Sequence, residues 1–360
     1  MSDETQRWTT MSRRGALGAA VAAGAMTAMA GIAKADPAGT TATGDGGTPE
    51  TEGHGGNRRQ TAVGRLYELR RGNQRAVVAG VSATLLNWQV DGKEMLLTHS
   101  PDVVGEGYQG KTIVPWPNRI EGGKYTFEGE EYQVPINEPD RGTALHGLLS
   151  FVEWQPVRHR KDSVVLEAQQ HPNYGYPFHL VFRIEFSLDR NGVRSTLTAR
   201  NVGSGPAPFG TANHTYIAAA AGTIDTMDLR LGASTYYLVD DNLIPTGTAP
   251  VEGTEYDFRE RTPIGATVMD TAFGDLARDR DGLAVVGFTR PGGRDVELWL
   301  DSSYGYLQVY TDDDPQGHEP RSGLTVEPVS CAPNSFNTGD GLTVIAAGDE
   351  WKGTWGLRVR

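Results

Sequence analysis

The chain has 360 residues, a formal net charge of −12 and a single cysteine, Cys331. The acidic balance weighs against a nucleic acid or an anionic membrane surface as partner. One cysteine excludes an internal disulfide, and the length suits one large β domain rather than several domains.

The first 35 residues read as a targeting segment rather than as fold. Ser12-Arg13-Arg14 precedes an apolar run rich in Ala and Gly, and Ala33-Lys34-Ala35 supplies a small-x-small cleavage signature. The pattern resembles a twin-arginine export signal, with Ala16 where such signals usually carry Phe. The expectation is an exported chain, periplasmic, extracellular or at the cell surface. Loss of Arg7, Arg13, Arg14 and Lys34 together with Asp3 and Glu4 would take the net charge from −12 to −14. Residues 36–60 hold Gly, Thr, Pro and charge without apolar period, the composition of a flexible linker. Residues 61–360 are expected to form the globular domain.

Strand signals dominate that domain. "RAVVAGVSATLLNWQVDGKEMLL" predicts two or three strands with a tight turn at Asp91-Gly92. "KYTFEGEEYQV" predicts a hairpin turning at Gly129, with Tyr125 and Phe127 on one face. "LVFRIEFSLDRNGVRSTLTARN" predicts a long alternating hairpin closed at Asn191-Gly192. "DVELWLDSSYGYLQVYT", "LTVEPV" and "GTWGLRVR" supply later strands, while "DTAFGDLARD" reads at best as a short turn of helix. Many short strands punctuated by Gly and Pro imply an all-β, antiparallel sandwich or barrel.

Several polar residues break the pattern. Asn118-Arg119 stands before a hairpin, His146 lies between Leu145 and Gly147, and His214 follows Asn213 in a small and apolar run. Gln308 sits between Leu307 and Val309. In "LTVEPVSCAPNSFNTGDG", Leu324 and Val326 alternate with Thr325 and Glu327 before Pro328 closes the strand. Singly, each is read as a satisfied core or surface group. Together they suit one polar pocket with an acid and a base. No Cys/His cluster has zinc spacing and no Gly-rich phosphate loop follows a strand, so neither metal nor cofactor is expected.

The ordered landmarks "PWPNRIEGGKYTFEGEEYQV", "LHG", "HPNYGYPFHLVFRIEFSL", "NHTY", "MDTAFGDL", "LQVYT" and "LTVEPVSCAPNSFNTGDG" resemble the aldose 1-epimerase (galactose mutarotase) family, in its bacterial members, across almost all of the globular part. The resemblance implies an antiparallel β-supersandwich. It implies Glu327 as general base, His214 as general acid and His146 as a second active-site histidine. It also implies Arg119, Asn118, Asp270 and Gln308 as sugar-binding groups. The substrate implied is a small-molecule sugar, the assembly a monomer or homodimer. Such chemistry requires an ionised Glu327 and a protonated His214, which Asp270 could help keep charged. The chain carries Asp270-Thr271 where many members have Asp-His, and Tyr176-Pro177 where Phe-Pro is commoner.

Rival readings share the pocket. A non-catalytic carbohydrate-binding protein would stack sugar on aromatics such as Trp116 and Tyr174. A glycoside hydrolase or lyase would use Asp270 as its second carboxylate. An epimerase of an anionic sugar would need cations, and the sequence offers only Arg119 at the landmarks. Asp312 to Asp314 suit calcium on paper, yet a solvated acidic loop is the plainer reading. Cys331 is expected to be a buried filler rather than a nucleophile.

Overall fold

The computed structural model of the chain describes residues 61–315 and 317–360, so the twin-arginine and linker segments lie outside the described residues. The described part is built almost wholly of antiparallel strands, as expected. Its largest sheet has nine, in the order Gln155–His159, Ser163–Gln170, Leu180–Leu188, Gly192–Asn201, Glu350–Val359, Val296–Leu300, Ala284–Thr289, Asp228–Leu231 and Thr262–Pro263. An eight-stranded sheet carries Asp270, Gln308 and Glu327 on its strands. It runs Pro245–Pro250, Ala233–Val239, Asp270–Leu276, Tyr306–Tyr310, Gly323–Val329, Ala212–Asn213 and Thr112–Ile113. Tyr216–Ala218 pairs with Gly323–Val329 beside this path. A smaller sheet of four strands begins at Leu66–Arg71.

Alternation explains the nine-stranded sheet. In Leu180–Leu188 the residues Leu180, Phe182, Ile184, Phe186 and Leu188 are all buried, while Arg183 is exposed. Each such side chain removed from water contributes about 1.5–3 kcal/mol before the cost of ordering it. Stacked rings continue the core, with Trp154 6.2 Å from Phe182 and Phe182 5.9 Å from Phe209.

Turn chemistry sets the hairpins. Asp91 and Gly92 both take positive φ, 53° and 72°, as a two-residue turn of the primed type requires. The long hairpin closes differently from expectation. Neither Asn191 nor Gly192 adopts positive φ; instead Asp189 Oδ1 accepts hydrogen bonds from the N–H groups of both, at 2.8 Å. Gly192 is needed for another reason, because a Cβ there would stand 1.8 Å from the carbonyl oxygen of Leu357 on the next strand.

Two expectations are corrected. "DTAFGDL" is no helical turn: Asp270–Leu276 is a strand held between Ala233–Val239 and Tyr306–Tyr310. Pairing on both edges overrides a weak local preference. Nor does Pro328 end its strand, since Gly323–Val329 runs through it, with Leu307 opposite Pro328. The Val326 N–H bonds Thr215 O, so alternation turns the Pro328 nitrogen toward the same edge. There the neighbouring chain is broken between Ala212–Asn213 and Tyr216–Ala218, so the missing donor costs no ladder bond.

Candidate active site

That same break carries His214. Its N–H donates to Lys111 O at 3.0 Å and its carbonyl accepts from the Gly110 N–H at 2.8 Å, so the backbone is anchored outside the sheet ladder. The imidazole faces Glu327, with Nε2 3.4 Å from Oε1. Register places the rest. Glu327 lies opposite Gln308, and Tyr310, two residues on, lies opposite Asp270. Directly opposed residues share a face, so Glu327, Gln308, Tyr310 and Asp270 all project to one side of the sheet. Loops close over this face. Asn118 and His146, each with positive φ near 55°, bring Arg119 and the imidazole inward.

The result is one cavity of about 330 Å³, lined by all seven residues singled out in the sequence: Asn118, Arg119, His146, His214, Asp270, Gln308 and Glu327. Hydrogen bonds fix their orientation. The Asn118 N–H donates to His146 Nδ1 at 3.2 Å, which leaves Nε2 as the protonated nitrogen of a neutral ring. Asn118 Oδ1 accepts from the Arg119 N–H at 2.9 Å, so this side chain braces the turn and keeps only its amide donors for a ligand. Gln308 Nε2 donates to Asp270 Oδ1 at 2.6 Å. Its Oε1 is buried with no hydrogen-bond partner among the described residues. Behind the cavity, Asn334 Oδ1 accepts from the Glu121 N–H, and its own N–H donates to Arg119 O, tying the "APNSFN" loop to the Arg119 strand.

Arg119 is not a free cation. Its Nε and one terminal nitrogen reach the two oxygens of Glu138 at 2.8 and 3.0 Å, and Asp270 lies 4.0 Å away. Such a fork is a strong and orienting contact. Glu138 also receives Arg141 at 3.5 Å. Neither Glu138 nor Arg141 was legible in the sequence, since nothing in "INEPDRGT" marks a partner for a residue 19 positions earlier. Tyr108, Tyr216 and Tyr310 were missed too. For Tyr310 a signal existed: it stands two residues beyond Gln308, hence on the same strand face.

Electrostatics depart from the expected charge state. Burial pushes the Glu327 carboxyl well above the usual range, and Asp270 pushes it further, against a smaller opposing pull from Arg119. Burial brings His214 down to about 3, with Arg119 adding to the effect. His146 is lowered as well, by burial, then by His214 and Arg119. Both shifts favour the proton of the acid/base pair on Glu327 and a neutral His214. Asp270 acts on the carboxyl, not on the histidine as the sequence suggested.

Other expectations resolve plainly. Trp116 is buried against Tyr176 and Phe336, and Tyr174 is fully exposed and outside the cavity, so neither offers a sugar platform there. Cys331 is buried beside Gly210, its thiol raised to about 11, and it accepts a hydrogen bond from Ser335. Asp312 is not a solvated loop residue but 3% exposed. No cluster of three or more metal-ligating side chains occurs among the described residues.

The chain is similar to known proteins over most of its described length. Residues 65–358 match the family model for aldose 1-epimerase. The chain is 33% identical to the Escherichia coli (strain K12) protein YihR over 286 residues, 79% of this chain and 90% of that one. It is 34% identical to the rat galactose mutarotase over 166 residues, a match spanning 44% of this chain and 47% of that enzyme. Two solved structures share the fold. One is an aldose epimerase homologue from C. elegans, at a TM-score of 0.72 and 20% identity, covering 82% of this chain and 98% of that one. The other is the galactose 1-epimerase of Lactobacillus acidophilus NCFM, at 0.69 and 21%, covering 82% and 94%.

Proposed function

The chain belongs to the aldose 1-epimerase family, isomerases acting on carbohydrates, and on that premise we propose that Glu327 and His214 interconvert the α and β anomers of a free, neutral aldose. The observation that carries this reading is the facing pair, a buried carboxyl and a buried imidazole 3.4 Å apart on the floor of the cavity. The pair's single proton first passes from Glu327 to His214 across their 3.4 Å contact; ring opening then moves the O1 proton to Glu327 while His214 gives its proton to the ring oxygen. Rotation about C1–C2 and the reverse transfers then close the other anomer. The number of protons on the pair never changes; only their placement does. After opening, Glu327 is protonated and His214 neutral, which is the arrangement that burial favours. Opening thus removes charge from a buried pair, a direction the surroundings assist.

Around this pair, His146 Nε2–H, Gln308 Oε1 and the Asp270 carboxylate offer one donor and two acceptors for ring hydroxyls. Neutrality of the sugar follows from the cations. Arg119 and Arg141 are both held by Glu138, and Asp270 and Glu327 add two more carboxyl groups to the same cavity. Polarimetry on freshly dissolved α-glucose and α-galactose tests the reading. Enzyme-dependent acceleration that disappears in Glu327→Gln supports it; a Glu327→Gln enzyme as fast as wild type defeats it. We also propose export, supported by the sequence from Arg13-Arg14 to Ala35. Arg13→Lys with Arg14→Lys should retain the precursor in the cytoplasm, and normal export of that variant would remove the twin-arginine reading.

A further inference from the structure

A second chamber of about 570 Å³ adjoins the catalytic cavity, and it is the larger of the two. The two share Gly107, Tyr108 and Tyr310 as a common wall. Gly107 can be no other residue there. Gly107 has φ 61°, its carbonyl accepts from the Tyr216 hydroxyl at 3.0 Å, and a Cβ there would stand 2.6 Å from the same oxygen. Tyr108 bridges the two chambers, with its ring 4.6 Å from His146 on one side and 5.9 Å from Phe151 on the other. A line of rings thus runs from the catalytic cavity into the outer chamber.

The outer chamber is built rather than incidental. Lys111, buried, donates from Nζ to Ser150 O at 2.7 Å and lies 4.4 Å over the Phe151 ring. Phe151 is 62% exposed, an unusual state for a large apolar ring. Asp312 is buried, yet its Oδ2 makes no hydrogen bond among the described residues, with His318 Nε2 3.3 Å away. Asp314 lines the chamber with it. A buried acceptor with no hydrogen bond among the described residues and with His318 near it, beside an exposed aromatic face, matches the needs of a sugar ring, which offers hydroxyl donors at its rim and C–H groups on its faces. An anion fits poorly. Its one lysine is already engaged, and it would meet the carboxylates of Asp312 and Asp314.

Neither Glu327 nor His214 lines the outer chamber. Whatever occupies it therefore lies away from the anomeric carbon. Mutarotation also demands a free hydroxyl at C1, so a substituent reaching the chamber must leave the reacting ring through another oxygen. We propose that the outer chamber is a second saccharide subsite, and that the preferred substrate is a reducing disaccharide whose reducing ring enters the catalytic cavity while its other ring lies on Phe151. This rests on the mutarotase reading above and narrows its substrate class.

The test is anomerisation, followed by polarimetry or NMR, of lactose, maltose, cellobiose and melibiose against glucose, galactose and glucose 6-phosphate. At least one disaccharide should exceed glucose tenfold or more in kcat/KM. Phe151→Ala should lower that value roughly two- to ten-fold, the range of one aromatic contact, and leave glucose turnover and Tm unchanged. Asp312→Asn should lower it too, mainly through KM. Monosaccharides faster than every disaccharide would overturn the subsite, as would a Phe151→Ala loss shared equally by glucose. A preference for glucose 6-phosphate would overturn the neutral occupant. No acceleration with any sugar would instead overturn the mutarotase reading on which the proposal rests.

Discussion

The two large sheets of this molecule are both antiparallel, yet only the strands of the eight-stranded one bury a carboxyl side chain, Glu327. In the nine-stranded sheet the buried face of Leu180–Leu188 is purely apolar. Its carboxylates stay at least part-exposed and meet arginines: Glu167 with Arg183, Glu185 with Arg158, Glu297 with Arg358 and Arg360. In the eight-stranded sheet Glu327 and Gln308 lie nearly as deep as Val309 and Val326, and the Gln308 acceptor has no partner. The nine-stranded sheet keeps its charged groups out of the core, and the eight-stranded sheet departs from that rule at a strand position that faces the cavity. Departures of this kind mark a functional site, because they persist only where the surrounding structure holds them.

Exchanging one residue at a time sharpens that contrast. The largest effect is expected from Glu327→Gln, which keeps the shape and removes the base. Its kcat should fall about 10²–10⁴-fold, measured against the spontaneous rate. The same change should stabilise the fold above about pH 5. A carboxyl raised in the folded state contributes stability that is full below its unfolded value of 4.5 and is lost as pH rises through the folded value. The neutral amide never loses it. Thermal unfolding at pH 5 and pH 8 should show the Tm gap between variant and wild type widening at the higher pH. A gap that narrows would contradict the burial argument.

Ile184→Ala in the other sheet should do the reverse. It removes a buried side chain with no polar role and should cost about 2–5 kcal/mol of stability. Turnover per folded molecule should stay at the wild-type value, as judged by denaturant titration beside a kinetic assay. His214→Asn is expected to lower kcat and to change stability with the opposite pH sign. A histidine depressed to about 3 makes the wild type lose stability as pH falls from 6.5 toward 3. The asparagine variant should be spared that loss in acid unfolding curves.

Smaller effects belong to the paired groups. Arg119→Ala leaves Glu138 with Arg141 alone and removes the cation nearest Asp270, so KM should rise more than kcat falls in initial-rate measurements. Glu185→Gln, at an exposed pair on the apolar sheet, should shift stability by no more than about 1 kcal/mol and leave kinetics untouched. A kinetic effect there would show that the two sheets are less separate in role than their burial implies.

The sequence by itself determined the strand content, most turns and the residue types of the site. These depend on neighbours in the chain: a two-residue period, an Asp-Gly turn, a histidine out of place among small residues. It misplaced Asp270–Leu276, because that segment is a strand through its partners on either side and not through its own preference. It overlooked Glu138 and the outer chamber with Asp312, which exist only where distant loops meet. The protonation of Glu327 and His214 was also beyond it. A pKa is set by how much water a group loses and which charges surround it. For two residues 113 positions apart, only the folding of the chain around both decides that.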